Sequence, residues 1–492
     1  MHDPAGAGAF VVREREHAPP ARSRTLTTLG AVVAPGGGAM FNTRISPEQT
    51  LSTLGKYMLV DGYSFVVDLE RSQGAWLVDA RTGERFVDFF TGVSSMPVGF
   101  NHPKMVTDDV IRRLGKIAVN KPANSDAYTP EMAAFVETFF RVAVPDYFRY
   151  AFFIEGGTLA VENAIKAAID WKVQKNFQKG ISRDDYPDGL GQQVIHFKES
   201  FHGRSGYSLS LTESADPNKT KWFPKFDWPR IVNPKITFPL EGENLESTIA
   251  KEREAIAQIE QALRERRDDI ACVIIEPIQG EGGDNHFRAE FFRELRQMAD
   301  RHEFLLIFDE VQTGLGLTGK MWAHEHFGVH PDLLAFGKKT QVCGVLAGPR
   351  LDEIEGNVFH TPSRINSTWG GNLIDMVRCQ LYLEIYEEEQ LVQRAAETGE
   401  LLLQQLHAME EEFPGVIENV RGRGLFCAFD VTDRIERKQL IRAAHDQRLI
   451  VLPSGRKGIR FRPPLSIDPS VLAEGLDRLR LAMHQTLSGV VA

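Results

Sequence analysis

Several short stretches of this 492-residue chain combine side chains that could do chemistry. Phe308-Asp309-Glu310 puts a carboxylate at the end of a strongly apolar run. In parallel α/β sheets, ligands gather beyond the carboxyl ends of the strands. A carboxylate there can stay ionised by pairing with a protonated ring nitrogen, although a helix cap is the ordinary alternative for a lone Asp. A second apolar run, Leu334-Ala335-Phe336, ends in Gly337-Lys338-Lys339. A partly desolvated lysine becomes nucleophilic and suits a Schiff base with an aldehyde, whereas two adjacent lysines are otherwise a surface pair. Glu155-Gly156-Gly157-Thr158 lies between an apolar run ending at Ile154 and a helix expected from about Leu159. A helix start offers free N–H groups and positive partial charge to a phosphate, and Thr158 adds a hydroxyl. Phe201-His202-Gly203-Arg204 offers an aromatic face for a flat ring and a guanidinium for a carboxylate. Arg460 and Arg462 alternate along one strand and share a face, so one of them is expected to pair with a substrate or a carboxylate.

These residues need elements to hold them. Tyr150–Ile154, Gln193–Phe197, Cys272–Ile275 and Phe304–Phe308 are continuous apolar runs of strand length. Such runs are typical of parallel strands buried on both faces. Helix-length segments, among them Val161–Lys175 and Arg288–His302, separate them. The alternation predicts an α/β domain with a mostly parallel sheet flanked by helices. Gly74–Asp79 and Arg85–Phe90, joined by a turn at Thr82-Gly83, predict a small antiparallel hairpin. The last part reads as long helical stretches over Met376–Glu412, strands at Gly424–Val431 and Leu449–Leu452, and a terminal helix. That pattern predicts a smaller α+β C-terminal domain. The expected division is residues 1–42 as a disordered extension, 43–98 contributing to the small domain, 99–375 as the large domain and 376–492 as the small domain. The extension is rich in Ala, Gly, Pro and Arg without helix or strand period, and Met40 is expected to open the folded part.

The balance of 57 Lys and Arg against 67 Asp and Glu gives a net charge of −10, which argues against nucleic acid as a partner. Four cysteines without a C-x-x-C pair signal neither a zinc site nor a redox couple, and fit a reducing cytoplasm. No run reaches the roughly 20 apolar residues of a membrane span. Gly314-Leu315-Gly316-Leu317-Thr318-Gly319 matches a dinucleotide fingerprint in letters only, because Glu310–Thr313 intervenes after the strand. A dinucleotide-linked oxidoreductase is therefore the alternative from a different class.

Taken together and in this order, Gly156-Gly157-Thr158, Phe201-His202-Gly203-Arg204, Glu276-Pro277-Ile278-Gln279-Gly280-Glu281, Asp309–Gly314 and Gly337-Lys338 resemble the class III (ω-amino acid) aminotransferases of the fold type I pyridoxal phosphate enzymes. The resemblance covers about residues 45–485. Asn120–Asp126, Lys225–Arg230, Gly337–Gly344 and Asn366–Gly371 are most similar to the lysine 6-aminotransferase branch. It implies pyridoxal 5'-phosphate on Lys338, with Asp309 on the ring nitrogen, Gln312 on the ring hydroxyl and Phe201 stacked on the ring. Gly157 and Thr158 would bind the phosphate, joined by Thr368 from a second subunit of a homodimer. Arg204, Arg460, Glu281 and Asn366 are implied substrate-binding residues. Arg204 would hold the α-carboxylate of lysine, and Arg460 the carboxylate beside the reacting carbon of the keto acid. Glu281 would cover Arg460 in the lysine half and release it in the 2-oxoglutarate half. The choice of Lys338 over Lys339 rests on the same resemblance. The implied reaction is transfer of the ε-amino group of L-lysine to 2-oxoglutarate, with ornithine or 4-aminobutyrate as the alternative donors. Two departures from the wider family stand out: Gly157-Thr158-Leu159-Ala160 where Ser-Glu-Ala-Asn follows the first phosphate glycine, and Leu317 where many members carry Arg.

Overall fold

In the computed structural model, residues 44–181 and 189–489 are described. The expected disordered extension and the start at Met40 lie outside them. Residues through Leu59 form one unit and Val60 onward a second. The first unit holds the helix Pro47–Leu54, opened by Ser46, whose backbone N–H donates to Gln49 Oε1 at 3.3 Å.

The second unit carries the strands. Two short ones come first, β1 (Trp76–Val78) and β2 (Arg85–Asp88), antiparallel as the hairpin pattern predicts. Then follow β3 (Tyr150–Ile154), β4 (Gln193–Phe197), β5 (Arg230–Ile231), β6 (Ile270–Ile275), β7 (Leu305–Asp309), β8 (Leu333–Phe336) and β9 (Cys343–Ala347). They form one seven-stranded sheet in the order β3-β9-β8-β7-β6-β4-β5. β10 (Ile417–Arg423), β11 (Phe426–Val431), β12 (Leu449–Ile450), β13 (Leu452–Ser454) and β14 (Gly458–Phe461) come last. Four of these make the sheet β10-β11-β14-β13, while β12 joins β2 in parallel.

The large sheet is parallel except for β9, which runs against both of its neighbours, β3 and β8. Two reversals restore the direction, so β3 points the same way as β4, β6, β7 and β8. Their carboxyl ends therefore share one edge. Alternation along the strands sends side chains to two cores. Cys272, Ile274, Leu305, Ile307, Leu333 and Ala335 face one cluster; Val273, Ile275, Leu306 and Phe308 face another. The first is covered by the helix Gly157–Gln178, whose buried Ala160, Ala164 and Ala168 let its backbone approach the sheet. The second is covered by Ala289–His302 through Phe291, Phe292 and Leu295. Burial on both faces explains why these strands read as unbroken apolar runs.

The helical stretches over 376–412 are two helices, Leu373–Glu388 and Leu391–Glu412, separated at Gln390, which adopts a left-handed backbone (φ 52°). Two details differ from expectation. The helix after Gly156 starts at Gly157 rather than near Leu159. Arg462 lies just past the end of β14, although it remains beside Arg460.

Ile307 has no exposed surface and sits mid-strand between β6 and β8. Ile307→Ala should destabilise the fold by about 2–5 kcal/mol through lost burial and the cavity left behind. A guanidinium titration of the variant beside the parent checks this through the midpoint.

Candidate active site

The shared strand edge carries the candidate residues. Glu276 follows β6, Asp309 closes β7, and Gly337 and Lys338 follow β8. Gly156 and Gly157 follow β3, and the Phe201–Arg204 segment comes shortly after β4. All of these except Gly337 line a cleft of about 580 Å³ that also takes in Glu281, Gln312 and Cys343.

At the floor, Asp309 is 5% exposed. Its Oδ2 pairs with His202 Nδ1 at 2.8 Å, and its Oδ1 accepts from the Val311 amide at 3.1 Å. His202 is buried, and its Nε2 has no partner among the described residues. Glu276 accepts from the amides of Phe201 (2.9 Å) and Gly280 (3.0 Å). Burial, with the nearby charge of Asp309, pushes the Glu276 carboxyl up to about 7, against the pull of His202. Sequence reasoning gave His202 and Glu276 no role, although Glu276 ends an apolar strand just as Asp309 does.

Lys338 is half-buried and lines the cleft. Its Nζ makes no hydrogen bond or ion pair among the described residues. Burial, then the charge of Arg460, pulls its amine down to about 8, while Asp309 and Glu276 pull the other way. Its backbone is left-handed (φ 53°), a conformation that costs a non-glycine residue about 1–3 kcal/mol and that clusters at functional sites. Lys339 takes no part in lining the cleft. Its Nζ is turned into the protein, donating to the Gln312 carbonyl at 2.7 Å. The paired lysines are thus split between the cleft and the interior.

The helix Gly157–Gln178 begins at the cleft wall. Its first amides, on Gly157 and Thr158, have no intrahelical acceptor. A Cβ on Gly157 would come within 2.8 Å of Val311 Cγ1, so the cradle depends on the missing side chain. Thr158 Oγ1 belongs to a hydroxyl cluster with Ser205 (3.0 Å) and Ser208 (2.5 Å). Gly203, at φ 130°, passes so close that a Cβ would meet Thr158 Oγ1 at 2.1 Å.

The arginines divide. Arg462, with no exposed surface, pairs with Asp284 and lies 3.3 Å over the Phe426 ring. Arg460, 6% exposed, has no carboxylate partner among the described residues; its Nη1 donates to Gln312 Oε1 at 3.2 Å, and its Nε has no acceptor among them. Gln312 Oε1 also accepts from Arg462 Nε at 3.3 Å. Arg204 lines the cleft, is exposed, and makes no hydrogen bond or ion pair among the described residues. Glu281, expected to cover Arg460 only in the lysine half, does not pair with it here. Glu281 is held by Lys219 and Ser214 instead. Asn366 and Thr368 are exposed and lie outside the cleft of this single chain. The Gly314–Gly319 turn is packed inside: a Cβ on Gly316 would strike Leu465 and Tyr386, and one on Gly319 would strike Ala396. That packing opposes the close backbone approach a dinucleotide would need at these glycines.

The profile of the family Aminotransferase class-III matches residues 57–483. The chain belongs to the class-III aminotransferases. It is 49% identical over 439 residues to the L-lysine-epsilon aminotransferase of Mycobacterium tuberculosis, covering 89% of this chain and 96% of that one. The crystal structure of lysine aminotransferase from M. tuberculosis in the internal aldimine form superposes with a TM-score of 0.86 at 49% identity, covering 91% of this chain and all of the other. The human mitochondrial 4-aminobutyrate aminotransferase is 31% identical over 432 residues, 85% of either chain. The fold is that of the type I pyridoxal phosphate enzymes, and this class-III aminotransferase uses pyridoxal 5'-phosphate. The cleft fits that group: it offers an unpaired, desolvated amine, a buried carboxylate and free helix-start amides beside a hydroxyl.

In the cofactor-free protein, Lys338 should become reactive as it loses its proton. Modification by trinitrobenzene sulfonate, read by mass spectrometry of the Lys338 peptide, should rise with pH about a midpoint near 8. Ordinary lysines have their midpoint near ~10.4.

Proposed function

We propose that this aminotransferase moves the ε-amino group of L-lysine to 2-oxoglutarate, giving 2-aminoadipate 6-semialdehyde and L-glutamate. The semialdehyde then cyclises to a piperideine carboxylate. The likeness to the M. tuberculosis enzyme carries the choice of lysine: 49% identity across 89% of the chain, against 31% for the human 4-aminobutyrate enzyme. The arrangement of cations supports it. Arg204, which lines the cleft, and buried Arg460, bonded to the lining residue Gln312, both lack carboxylate partners among the described residues. A dicarboxylate keto acid can use both, whereas lysine entering by its ε-end uses only the first.

Bound pyridoxal phosphate supplies an aldehyde that takes the amino group and a ring that takes up an electron pair. The chain's own residues do the rest. Lys338 would bond the aldehyde and, once displaced by the donor, its neutral Nζ would move the proton from Cε of lysine. Asp309 would keep the ring nitrogen protonated, and His202 orients Asp309 through the 2.8 Å contact. Phe201 would cover the ring face. Gln312 would reach the ring hydroxyl with its amide NH₂, since its Oε1 is taken by two arginines. Gly157 and Thr158 would hold the phosphate. Thr368 of the partner subunit would join them across a two-fold dimer, with Asn366 nearby at the substrate; the exposure of that loop supports this. Glu281 would cover Arg460 while lysine reacts, because a buried unpaired guanidinium costs several kcal/mol. The cytoplasm suits four free, buried cysteines.

The purified holoenzyme should lose its visible absorption band on adding lysine and regain it with 2-oxoglutarate. Ornithine or 4-aminobutyrate bleaching it faster than lysine would overturn the choice of donor. Glu281→Ala should slow the lysine half-reaction more than the glutamate half, followed by stopped-flow absorbance; equal losses would refute the switch.

A further inference from the structure

The carboxylate of Glu281 and the guanidinium of Arg460 are each half-satisfied, and apart. Glu281 Oε1 accepts from Lys219 Nζ at 2.5 Å and from Ser214 Oγ at 2.6 Å. Its Oε2 is buried without a partner among the described residues. Arg460 has one neutral acceptor, Gln312, and a buried Nε with none. Arg462 does not compete for Glu281, because Asp284 already neutralises it. A desolvated cation and a carboxylate with a free oxygen attract each other strongly in a poorly screened cleft. Something must hold the carboxylate back, and the groups bonded to it are Lys219 and Ser214.

Lys219 ends the 3-10 turn Pro217–Lys219, fixed at its start by Asp216, whose carboxylate accepts from the Asn218 amide at 3.0 Å. Its Nζ lies 5.9 Å from the Phe201 ring centroid, so the turn brings a cation to the aromatic wall of the cleft. The pair is partly sheltered, at 24% and 17% side-chain exposure. Lys219 reaches water when its partner leaves, whereas Arg460 does not. That asymmetry suits a resting place: the ammonium can be hydrated once vacated, but Arg460 needs an anion.

We propose that Lys219 is a specificity-determining residue that parks Glu281 away from Arg460 and so readies the site for the carboxylate of the 2-oxo acid. The proposal rests on the reading of Glu281 as a switch over Arg460. Glu281 has two cationic positions. On Lys219, it leaves Arg460 open for the acceptor; on Arg460, it closes that position while lysine reacts. Removing Lys219 shifts the balance toward Arg460. Dicarboxylate binding then has to displace Glu281 without a second cation to receive it, and the acceptor half suffers more than the donor half.

The test uses the holoenzyme, with Lys219→Met, Lys219→Arg, Glu281→Gln and the double variant Lys219→Met/Glu281→Gln. Each half-reaction is followed separately by stopped-flow absorbance, and calorimetry measures the affinity for glutarate, a dicarboxylate that cannot react. Lys219→Met should weaken glutarate binding and slow the acceptor half about tenfold relative to the donor half, the size expected for loss of one charge-assisted hydrogen bond. Lys219→Arg should restore most of both. In the Glu281→Gln background, Lys219→Met should change glutarate affinity little. Equal slowing of both halves, unchanged glutarate affinity, or an undiminished effect in the Glu281→Gln background overturns the role of Lys219. Glu281→Gln acting unequally on the two halves while Lys219→Met does not would sink this proposal and leave the switch standing. Glu281→Gln acting equally on both would sink the switch itself.

Discussion

The ladder between β7 and β8 fixes the separation of one acid and one amine, and the proposed chemistry depends on that spacing. Asp309 pairs in register with Ala335, so the chain of β8 runs only a few residues further before reaching Lys338. Neither group would hold its place alone. The carboxylate is tied down by His202 and the Val311 amide, and the amine is fixed by a left-handed backbone. Both are partly stripped of water. Each therefore has strong electrostatic demands that a bound group can answer: a protonated ring nitrogen for the acid, an aldehyde carbon for the amine.

Around this pair the protein distributes charge unevenly. Asp284 neutralises Arg462 completely, while Arg460 is left with a neutral amide. The two arginines are two residues apart and share one acceptor oxygen, yet one is structural and the other is available. Glu276 adds a carboxyl near neutrality behind the floor. Under the proposed reaction the site accepts a neutral carbon chain in one half of its cycle and a carboxylate in the other, and so cannot be permanently neutralised. Its counter-ions have to be movable, and those at the rim, Glu281 and Lys219, are the more exposed ones.

Much of this was legible in the residues. Apolar runs buried on two faces announce themselves by composition, and a charged residue at the end of such a run marks the ligand edge, as Asp309 and Lys338 do. The same signal is present at Glu276, directly after the apolar run of β6, where the sequence pattern alone gave it no role of its own. The reversed direction of β9 was not legible, because an apolar pentapeptide carries no sign of its polarity. Neither was the Lys219–Glu281 bond: it joins residues 62 positions apart, one of them in an irregular segment without period. Pairings of that kind are set by tertiary packing rather than by local pattern. The arginines were half legible. Alternation put Arg460 and Arg462 together, but only the position of Asp284 decides which of them is neutralised.

The joining of β12 to β2 has a consequence for how the chain is made. Val87 finds its partner Leu449 only near the far end of the polypeptide. The seven-stranded sheet is complete once Ala347 has left the ribosome, but the β1–β2 ribbon must wait for roughly a hundred further residues. At about 5–20 residues per second, that wait is on the order of ten seconds. Throughout it, an unpaired strand edge stays open to pairing with other nascent chains, the kind of exposure that chaperones cover. Arg85 and Asp88, at the two ends of β2, keep that edge charged while it is bare.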